Sequence, residues 1–535
     1  MKLSGDPKKM QNKNAADMIS KSSRFSKGKD AWRNNLHLTA LAAERVRSSL
    51  GPNGAYKMVA YNRGPEKIVK VTKDAVPVLE ELAIQHPALA VLSEAAKMQR
   101  QEVGDGVTSF VILASNLLKK ADELMGKKVH PNVILDGYLE AAKKALEIID
   151  ANSTKLAANT LADVLETVDC GRGILTTTLR HSLVEASEIV TKDGKMDKNR
   201  IRIIRKQGAE TSETRLIKGI IIKKAKLHRS MPDDVEKPRI AVTSGRIGLS
   251  RVEVKMRGEG PFNMRFDIQN PTQLNSCQEA EREQKRFALS KLDELGVNVL
   301  FCQQPIDSFT KCALVDRGVL AFESVDREDC ALVAQATRAN MVASLYDLSE
   351  TDVGAAGNLT VEKLSPDEMV TLAVPTYATF LLRGSTSQAF DELELLIQKG
   401  LTLLKTAVED GNVVPSCGAT EMRIAREVKD FSLQFNGKQQ LAVDGFAGAL
   451  MELPRCLAEN NGVNPDDTMA QLAKLHAEGF SDYGIRADGS CGIVCSELSQ
   501  IKTAVIKRSY EFVSLMLRID EEITRKEIVK FHKKQ

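Results

Sequence analysis

The chain has 535 residues, 43% of them hydrophobic and 27% charged, which is typical of a globular protein with about three to four domains. The 75 Lys and Arg residues almost balance the 71 Asp and Glu residues, and a net charge of +4 argues against a protein that mainly coats nucleic acid. No apolar run approaches the ~20 residues of a membrane-spanning helix, and the first residues lack the apolar centre of a signal peptide. These features argue against membrane and exported proteins.

The cysteine pattern indicates a reducing compartment. The nine cysteines are dispersed, at positions 170, 277, 302, 312, 330, 417, 456, 491 and 495. An odd, scattered set in a chain without a signal sequence predicts free thiols and a cytoplasmic location. Cys491 and Cys495 are separated by three residues but have no matching second pair, so we expect ordinary thiols there rather than a zinc site.

The N-terminal segment is strongly basic. Residues 1–30 contain eight Lys or Arg and three Asp, with almost no apolar periodicity. This composition predicts a flexible basic arm that orders only on a partner, or a solvated tail.

The front of the chain favours helices separated by glycine-containing turns. An apolar helical period ends at residues 51–54 (GPNG), and residues 67–72 alternate like a strand. Pro87 and Pro131 each suit the first position of a helix, where the missing N–H costs nothing. A strongly apolar helix is predicted from about residue 107 to residue 124.

The middle of the chain has a different pattern. Short apolar runs typical of strands alternate with helical stretches, at the spacing of an α/β unit. The strand candidates are residues 201–204, 216–223, 239–243, 296–302 and 318–322, and the helical stretches lie near 275–294 and 328–340. Residues 255–275 mix charges with Met and Phe, which predicts a flexible contact surface.

Long helical periods return after residue 384. They cover residues 387–409, 418–430, 439–453, 464–477 and 498–527. A helical front, an α/β centre and a helical back indicate one helical domain built from both chain ends, with the centre inserted into it.

Several common catalytic motifs are missing from the sequence. It contains neither a Gly-x-x-x-x-Gly-Lys-Ser/Thr phosphate loop nor a Gly-x-Gly-x-x-Gly turn after a strand, and its seven His form no His-Glu-x-x-His motif. What stands out is a set of turns in which glycine or an acid precedes a helix or strand, at residues 51–54, 72–74, 104–109 and 409–419.

Each of these turns is a weak signal, but together they favour nucleotide binding. In residues 51–54, the absence of side chains lets backbone N–H groups approach a phosphate. Residues 104–109 (GDGVTS) lead from a turn into a helix, whose N-terminus favours phosphate. Because the carboxylate of Asp105 would repel that anion, we expect a Mg²⁺ ion to bridge the two.

The order of these turns resembles that of group II chaperonin subunits, which form the archaeal thermosome and the eukaryotic CCT complex (TRiC). The resemblance covers about residues 30–525. It is carried by LGPNG at 50–54, QHPA at 85–88, QEVGDG at 101–106, LRGST at 382–386, EDGNVVP at 409–415, PRCLAENNG at 454–462 and LRID at 517–520. Details such as Ala75 directly after Asp74, GATE at 418–421 and HAEG at 476–479 are most similar to theta-type subunits of CCT.

The resemblance implies an α+β multidomain chaperonin fold. It places a helical equatorial domain at residues 1–148 and 406–535, a hinge-like intermediate domain at 149–214 and 374–405, and an inserted α/β apical domain at 215–373, with a helical lid protrusion at about 252–285. The apical domain would bind substrate, and the equatorial domain would bind nucleotide and make most ring contacts.

The resemblance also implies a function. Such subunits form two stacked eight-membered rings that enclose and fold unfolded proteins, such as actin and tubulin, in an ATP-driven cycle. The expected partners are other chaperonin subunits, unfolded clients and co-chaperones, without membrane or nucleic acid. The basic arm and the Lys- and Arg-rich residues 200–229 would add positive charge to the client chamber, which favours acidic clients. A stand-alone protein-binding module outside the ring is the alternative.

For the site, the resemblance implies ATP or ADP with Mg²⁺, and it places the metal on Asp105. The residues it places near the nucleotide are Gly51, Pro52, Gly54, Asp74, Gly104, Asp105, Gly106, Val107, Thr108, Ser109, Gly418 and Gly484. Three departures from the family's pattern are Val107 in place of a Thr, Ser416-Cys417 in a glycine-rich turn, and Arg486 in place of an Asp.

A fourth departure concerns catalysis. An ungapped alignment between residues 383–386 and 409–411 puts Lys399 where the family has the Asp that activates the attacking water. A protonated ammonium cannot accept a proton, and losing a general base typically costs ~10²–10⁴ in rate. The resemblance therefore implies weak or absent ATP hydrolysis, with Asp74 in a supporting role.

Other outcomes stay open at this point. Asp391 or Glu392, one to two helical turns from Lys399, could replace the missing base. Lys399 could instead hold the γ-phosphate of an ATP that is not cleaved. The chain could also be a fully hydrolysing subunit whose site tolerates the changes.

Overall fold

Both ends of the chain contribute to one of the two units into which the structure divides. In the computed structural model, the first unit comprises residues 1–184 and 386–535, and the second comprises residues 185–385. The structure describes residues 23–27, 29–63, 66–83, 86–156, 161–165, 176–208, 210–247, 271–364, 367–519 and 521–525. The insertion of the centre between the two chain ends, expected from the sequence pattern, is confirmed.

Helices dominate the first unit. They are Lys29–Arg47, Ala75–Ala83, Pro87–Glu102, Val107–Gly126, Pro131–Asn152, Leu161–Val164, Ser387–Glu409, Ala419–Ser432, Lys438–Leu450, Glu452–Asn460, Pro465–Ala477 and Ser499–Leu517; a further helix, Thr177–Val190, begins in this unit. The two proline-initiated helices start where the sequence predicts. A histidine caps each of them, because His86 Nδ1 accepts from the Ala88 N–H (3.3 Å) and His130 Nδ1 from the Asn132 N–H (3.2 Å).

The helix Val107–Gly126 runs through the core of this unit. Nine consecutive residues of this helix, 110–118, are buried. Lys29–Arg47 packs on it from the front of the chain, and Lys438–Leu450 and Ser499–Leu517 pack on it from the back. Phe110 and Phe512 meet edge to face with ring centroids 6.2 Å apart. The apolar run that predicted this helix is therefore the centre of the core.

The helices Pro131–Asn152 and Lys438–Leu450 approach each other closely at Gly137. A Cβ on Gly137 would lie 2.5 Å from Ala442 Cβ, so a larger residue there would push the two helices apart. The neighbouring Tyr138 packs against Phe446 with ring centroids 5.8 Å apart, and its hydroxyl donates to the Leu117 carbonyl at 2.9 Å.

Short strands complete the first unit. They form the hairpin Lys57–Arg63 with Glu66–Thr72, the pair Tyr483–Ile485 with Cys491–Ile493, and a three-stranded sheet in which Asn412–Pro415 lies between Thr154–Lys155 and Ser496–Leu498. The strand predicted at residues 67–72 is thus confirmed. In the three-stranded sheet, Pro415 lies opposite Ser496 in an antiparallel pair.

The two ends of the chain differ from the sequence prediction. Residues 23–27 of the expected basic arm form a strand, Ser23–Lys27, which pairs antiparallel with Glu521–Arg525. The last helix therefore ends at Leu517 rather than near residue 527, because the β-branched Ile523 and Thr524 join a strand whose partner is distant in the chain. Residues 1–22 and 28 of the expected arm lie outside the described residues.

The second unit contains the α/β pattern that the sequence predicts. The parallel strands Leu320–Phe322, Val299–Cys302, Arg239–Thr243 and Met341–Val342 lie side by side in this order, and Gly354–Ala355 pairs antiparallel with Arg239–Thr243. The helices of this region are Pro271–Glu294, Ser308–Asp316 and Arg327–Thr337. The sequence pattern missed Ser308–Asp316, because its nine residues contain too few turns for a clear apolar period.

Two further sheets lie in the second unit. One is antiparallel, in the order Asp234–Glu236, Asn358–Leu364, Asp367–Leu372 and Ile220–Ile222; the other places Ala378–Gly384 between Ile201–Gln207 and Arg215–Lys218; Thr191–Lys192 and Lys195–Met196 form a separate hairpin. The strand expected at residues 216–223 is broken at Gly219 (φ +133°), whose Cβ would lie 2.1 Å from the Leu372 carbonyl oxygen.

Part of the expected lid protrusion, residues 252–270, lies outside the described residues, as do residues 255–270 of the expected contact surface. Residues 271–285 form the first turns of the helix Pro271–Glu294. Within the described ranges, no helix combines the length and the apolar character that a membrane crossing requires.

The contact between Tyr138 and Phe446 predicts a measurable stability difference. Replacing Phe446 by Ala leaves a cavity between two buried helices, and should lower the free energy of unfolding of the first unit by about 3–5 kcal/mol. The single tryptophan, Trp32, is buried in this unit, so its fluorescence during urea denaturation reports the change.

The matched control is Phe480→Ala, because Phe480 is half exposed. This variant should stay within roughly 1 kcal/mol of the unchanged protein. Equal losses for both variants would contradict the assignment of the Tyr138–Phe446 contact to the core.

Candidate functional site

A cavity of about 410 Å³ lies within the first unit and is lined by segments from both chain ends. Of the residues predicted near the nucleotide, those that line it are Gly51, Pro52, Asp74, Asp105, Gly106, Val107, Thr108, Ser109 and Gly418, and Lys399 lines it too. Gly54, Gly104 and Gly484 do not line it. Each lies instead against the backbone of a residue that does. For example, a Cβ on Gly104 would lie 3.1 Å from the Lys399 carbonyl oxygen, so glycine lets that helix approach.

The N-terminus of the helix Val107–Gly126 faces this cavity. The preceding residue, Gly106, has φ +82° and no side chain to cap the helix, so the N–H groups of the first turn are left for another acceptor. A Cβ on Gly106 would also lie 2.8 Å from Ile501 Cγ2, which makes glycine necessary for packing as well as for conformation. The site therefore presents uncapped amides together with the hydroxyls of Thr108 and Ser109, which suits an anion.

Asp105 lies in the turn before this helix and also lines the cavity. Its backbone carbonyl accepts from Gln99 Nε2 at 3.0 Å, which fixes the turn. Among the described residues, no three His, Cys, Asp or Glu side chains converge as a metal cluster. A cation held here would therefore use the Asp105 carboxylate together with oxygens of the ligand itself, as Mg²⁺ commonly does with phosphates.

Asp74 and Lys399 form a buried ion pair on the cavity wall. Lys399 Nζ lies 3.4 Å from Asp74 Oδ2, and Arg100 Nη1 lies 3.3 Å from the same oxygen. The other oxygen, Asp74 Oδ1, accepts from the Val76 N–H at 3.2 Å. Burial alone would raise the pKa of Asp74, but Lys399 and then Arg100 outweigh it and hold the pKa below its usual 3.8.

This ion pair decides what the two residues can do. A carboxylate with a lowered pKa is a weak base, so Asp74 is poorly suited to take a proton from water. The amine of Lys399 is engaged with that carboxylate. Asp391 and Glu392, the alternative bases, are not among the described residues that line the cavity, and Glu392 Oε2 accepts from Thr72 Oγ1 at 3.5 Å.

A second buried charged cluster lines the cavity and was not predicted from the sequence. Its residues come from the C-terminal part of the chain. Lys502 forms ion pairs with Glu421 and with Glu497, the latter at 2.5 Å, and all three residues line the cavity. Burial raises the pKa of Glu497 to about 7, because it outweighs the opposing effect of Lys502, and Glu421 adds to the rise. The two carboxylates in turn overcome burial and raise the pKa of Lys502.

The segment 416–418 contains the two side chains that the resemblance expected to crowd the site. Ser416 Oγ lies 3.3 Å from Cys417 Sγ and 3.1 Å from Cys495 Sγ, and all three residues line the cavity. None of the seven cysteines among the described residues forms a disulfide. Cys417 directly follows the strand Asn412–Pro415 and Cys495 directly precedes the strand Ser496–Leu498, so only the fold brings these two thiols together.

The remaining wall is apolar. It is formed by side chains such as Leu453, Leu457, Ile493, Ile501 and Val505. No local motif marks these residues, because each is an ordinary apolar position of a helix or strand. The cavity thus combines a polar end suited to an anion with an apolar side suited to a flat or hydrocarbon group.

The comparisons with known proteins agree over most of the chain. Residues 42–527 match the TCP-1/cpn60 chaperonin family. The chain is 37% identical to thermosome subunit beta of Methanothermobacter thermautotrophicus over 510 residues, covering 93% of this chain and 92% of that protein. It is 36% identical to the thermosome subunit of Methanopyrus kandleri and 33% identical to thermosome subunit alpha of Archaeoglobus fulgidus; both matches span 522 residues, 94% of this chain and 93% of the relative.

The Asp74–Lys399 pair predicts a pH-dependent stability difference. Asp74→Asn leaves Lys399 buried without its counter-charge and should cost about 3–5 kcal/mol of unfolding free energy at pH 7. Because the folded-state pKa of Asp74 is lowered, its contribution is present above the unfolded value near 3.8 and is lost as the pH falls through the folded value. The difference in unfolding free energy between the unchanged protein and Asp74→Asn, measured by urea denaturation, should therefore become smaller below about pH 4.

The double variant Asp74→Asn with Lys399→Met is the control for an unpaired charge. It removes both charges and should recover part of the lost stability. A loss that is the same in the single and double variants would contradict the ion pair as its cause.

Proposed function

Because the chain belongs to the TCP-1/cpn60 chaperonin family, we propose that it is a subunit of a ring-shaped, ATP-binding chaperonin whose own cavity hydrolyses ATP weakly or not at all. The observation that carries the second part is the ammonium of Lys399, 3.4 Å from Asp74 on the cavity wall. The fold is that of the family, with an inserted centre between two helical ends.

We assign the family's domains as follows. Residues 1–148 and 406–535 are the equatorial domain, 149–214 and 374–405 the intermediate domain, and 215–373 the apical domain, with the protrusion at about 252–285. The division of the structure at residues 184/185 and 385/386 supports this assignment, because both points fall inside the intermediate segments.

The finer identity rests on the sequence motifs. GATE at 418–421, HAEG at 476–479 and Ala75 after Asp74 favour a theta-type subunit of a cytoplasmic, hetero-oligomeric double ring with eight members per ring. Its partners would be the other subunits, co-chaperones and unfolded clients such as actin and tubulin. The three relatives described above are archaeal thermosome subunits, so they support the family and not this choice of subunit.

The cavity has the features that an adenine nucleotide needs. The uncapped first turn of Val107–Gly126 would hold phosphate, and Asp105 would hold Mg²⁺ against it. The apolar wall at Leu453 and Leu457 would contact the base. When bound, the metal would neutralise phosphate charge; the protein's own groups position the phosphates and exclude water around them.

Weak hydrolysis follows from the bases that the cavity provides. Lys399 replaces the expected base, and Asp74 is a weak base because two cations stabilise its charged form. Glu497 is occupied by its ion pair with Lys502. With the water-activating group missing, the rate should fall by ~10²–10⁴ relative to a hydrolysing subunit.

The basic residues at 200–229 do not support a preference for acidic clients. Several of them are neutralised within their own unit: Arg202 pairs with Asp329 (2.6 Å), Lys218 with Glu185 (2.7 Å), Lys226 with Asp233 (2.6 Å) and Arg215 with Glu362 (3.0 Å). This pairing reduces the positive charge that these residues would present to an acidic client.

The decisive test is a cryo-EM map of the complex purified through a tag on this chain, after incubation with ATP and Mg²⁺. We expect the chain in a ring, with intact ATP beside Asp105. ADP in that cavity would contradict weak hydrolysis, and an empty cavity would contradict nucleotide binding. A chain that elutes as a monomer would contradict the ring and favour a stand-alone module.

A second test restores the missing carboxylate. In this chain's own cavity, Lys399→Asp should raise the rate of ATP hydrolysis by roughly 10²-fold or more, because it supplies a general base at the expected position. Since the other subunits of the ring would also hydrolyse ATP, the readout is the nucleotide beside Asp105 in a cryo-EM map after incubation with ATP: ADP in the variant and intact ATP in the unchanged protein. If Lys399→Asp folds poorly, the double variant with Asp74→Asn removes the repulsion between two adjacent buried carboxylates.

The control is Lys405→Asp in the same helix. Lys405 is only partly buried, does not line the cavity and pairs loosely with Glu409, at 4.0 Å, so this change should leave hydrolysis in the cavity unaltered. ADP in this cavity of the unchanged protein would show that the site tolerates Lys399.

A further inference from the structure

Two strands bring the thiols of Cys417 and Cys495 together. Asn412–Pro415 pairs antiparallel with Ser496–Leu498, and one residue further the Ser416 N–H donates to the Cys495 carbonyl at 2.9 Å. Cys417 then turns away from the sheet with φ +52°, a conformation rare for residues other than glycine. As a result, both thiols lie on the wall of the cavity.

Ser416 links the two sulfurs. Its buried hydroxyl lies 3.3 Å from Cys417 Sγ and 3.1 Å from Cys495 Sγ. The two thiols also hydrogen-bond with each other, so their sulfurs are within contact distance. Contact between two sulfurs is the first requirement for a disulfide.

The two thiols differ in their surroundings. Cys495 is exposed, whereas Cys417 is partly buried. The hydrogen bond with the Cys495 thiol, together with burial, raises the pKa of Cys417. Cys417 therefore keeps its proton and is the donor of this hydrogen bond, with the sulfur of the exposed Cys495 as its acceptor.

We propose that Cys417 and Cys495 are an oxidisable pair, and that a disulfide between them closes the cavity to its ligand. The closing step rests on the proposed nucleotide site. The disulfide would pull residues 416–418, the entrance to the helix Ala419–Ser432, toward the strand that begins at Ser496. Gly418 is closely packed against Pro454, because a Cβ on Gly418 would lie 2.7 Å from Pro454 Cβ. The backbone of residues 416–418 would therefore move toward the cavity.

The oxidant is a peroxide. The Cys495 thiolate attacks one peroxide oxygen, the O–O bond breaks, and with a proton the products are Cys495 sulfenic acid and water. The Cys417 sulfur then attacks the sulfenic sulfur; the S–S bond forms, and a second water leaves with the Cys417 proton. Overall, two thiols and one hydrogen peroxide give one disulfide and two waters, and a dithiol such as dithiothreitol reverses the reaction.

The test uses the full-length protein, treated with hydrogen peroxide in the absence of nucleotide. Peptide mapping should find residues 417 and 495 joined, with the loss of two hydrogen atoms. Binding of a fluorescent ATP analogue should weaken by about tenfold or more after oxidation and recover with dithiothreitol. Because Cys417 must lose its proton, the link should form faster as the pH rises.

The affinity of Cys417→Ser and of Cys495→Ser for the analogue is measured before and after peroxide treatment. In neither variant should the treatment change it. The matched control, Cys312→Ser, removes an exposed thiol of the second unit and should respond like the unchanged protein. Absence of the 417–495 link, or oxidation of Cys495 alone that dithiothreitol does not reverse, overturns the pair. A link that leaves affinity unchanged overturns the closing of the cavity.

The same measurements separate the two proposals. If the reduced protein does not bind the analogue, the nucleotide site is wrong, and so is its closure. The peptide map still decides on the thiol pair independently, because it does not depend on any ligand.

Discussion

The central helix Val107–Gly126 couples the core of the first unit to its cavity. Its middle is buried over nine consecutive residues by helices from both chain ends, so it cannot shift without opening apolar contacts. Its N-terminus is equally confined, because a Cβ on Gly106 would collide with Ile501 and approach Val505. The direction in which its uncapped amides point is therefore set by the packing of the core rather than by the loop before it.

Features that depend on nearby residues could be predicted from the sequence. The apolar run at 107–124, the prolines at 87 and 131 and the glycine turns all describe conformations that neighbouring residues determine. Features that depend on residues distant in the chain could not be predicted from the sequence. The strand Glu521–Arg525 exists through its pairing with Ser23–Lys27, from the opposite end of the chain, and a helical period there was extended too far.

The same distinction applies to the cavity. The turns that carry Asp74, Asp105 and Gly418 were found because glycine and acid in a turn are visible locally. Lys502 and Glu421 are separated by 81 residues, and their pairing has no local signal. Cys495 likewise has no motif that relates it to Cys417. The family resemblance identified the position of Lys399, but only the structure shows that its amine is paired with a buried carboxylate.

The balance of charges on the cavity wall links the two proposed effects of Lys399, on nucleotide binding and on hydrolysis. The acids that line the cavity are Asp74, Asp105, Glu421 and Glu497, and the cations are Lys73, Lys399, Arg486 and Lys502. Lys399→Asp would change this lining from four acids and four cations to five acids and three cations. The lining with four cations repels a polyanion less, since charges interact strongly in a partly desolvated cavity. If the cavity holds a nucleotide as proposed, the residue that favours retention of the phosphates would also be the one that replaces the base needed to cleave them.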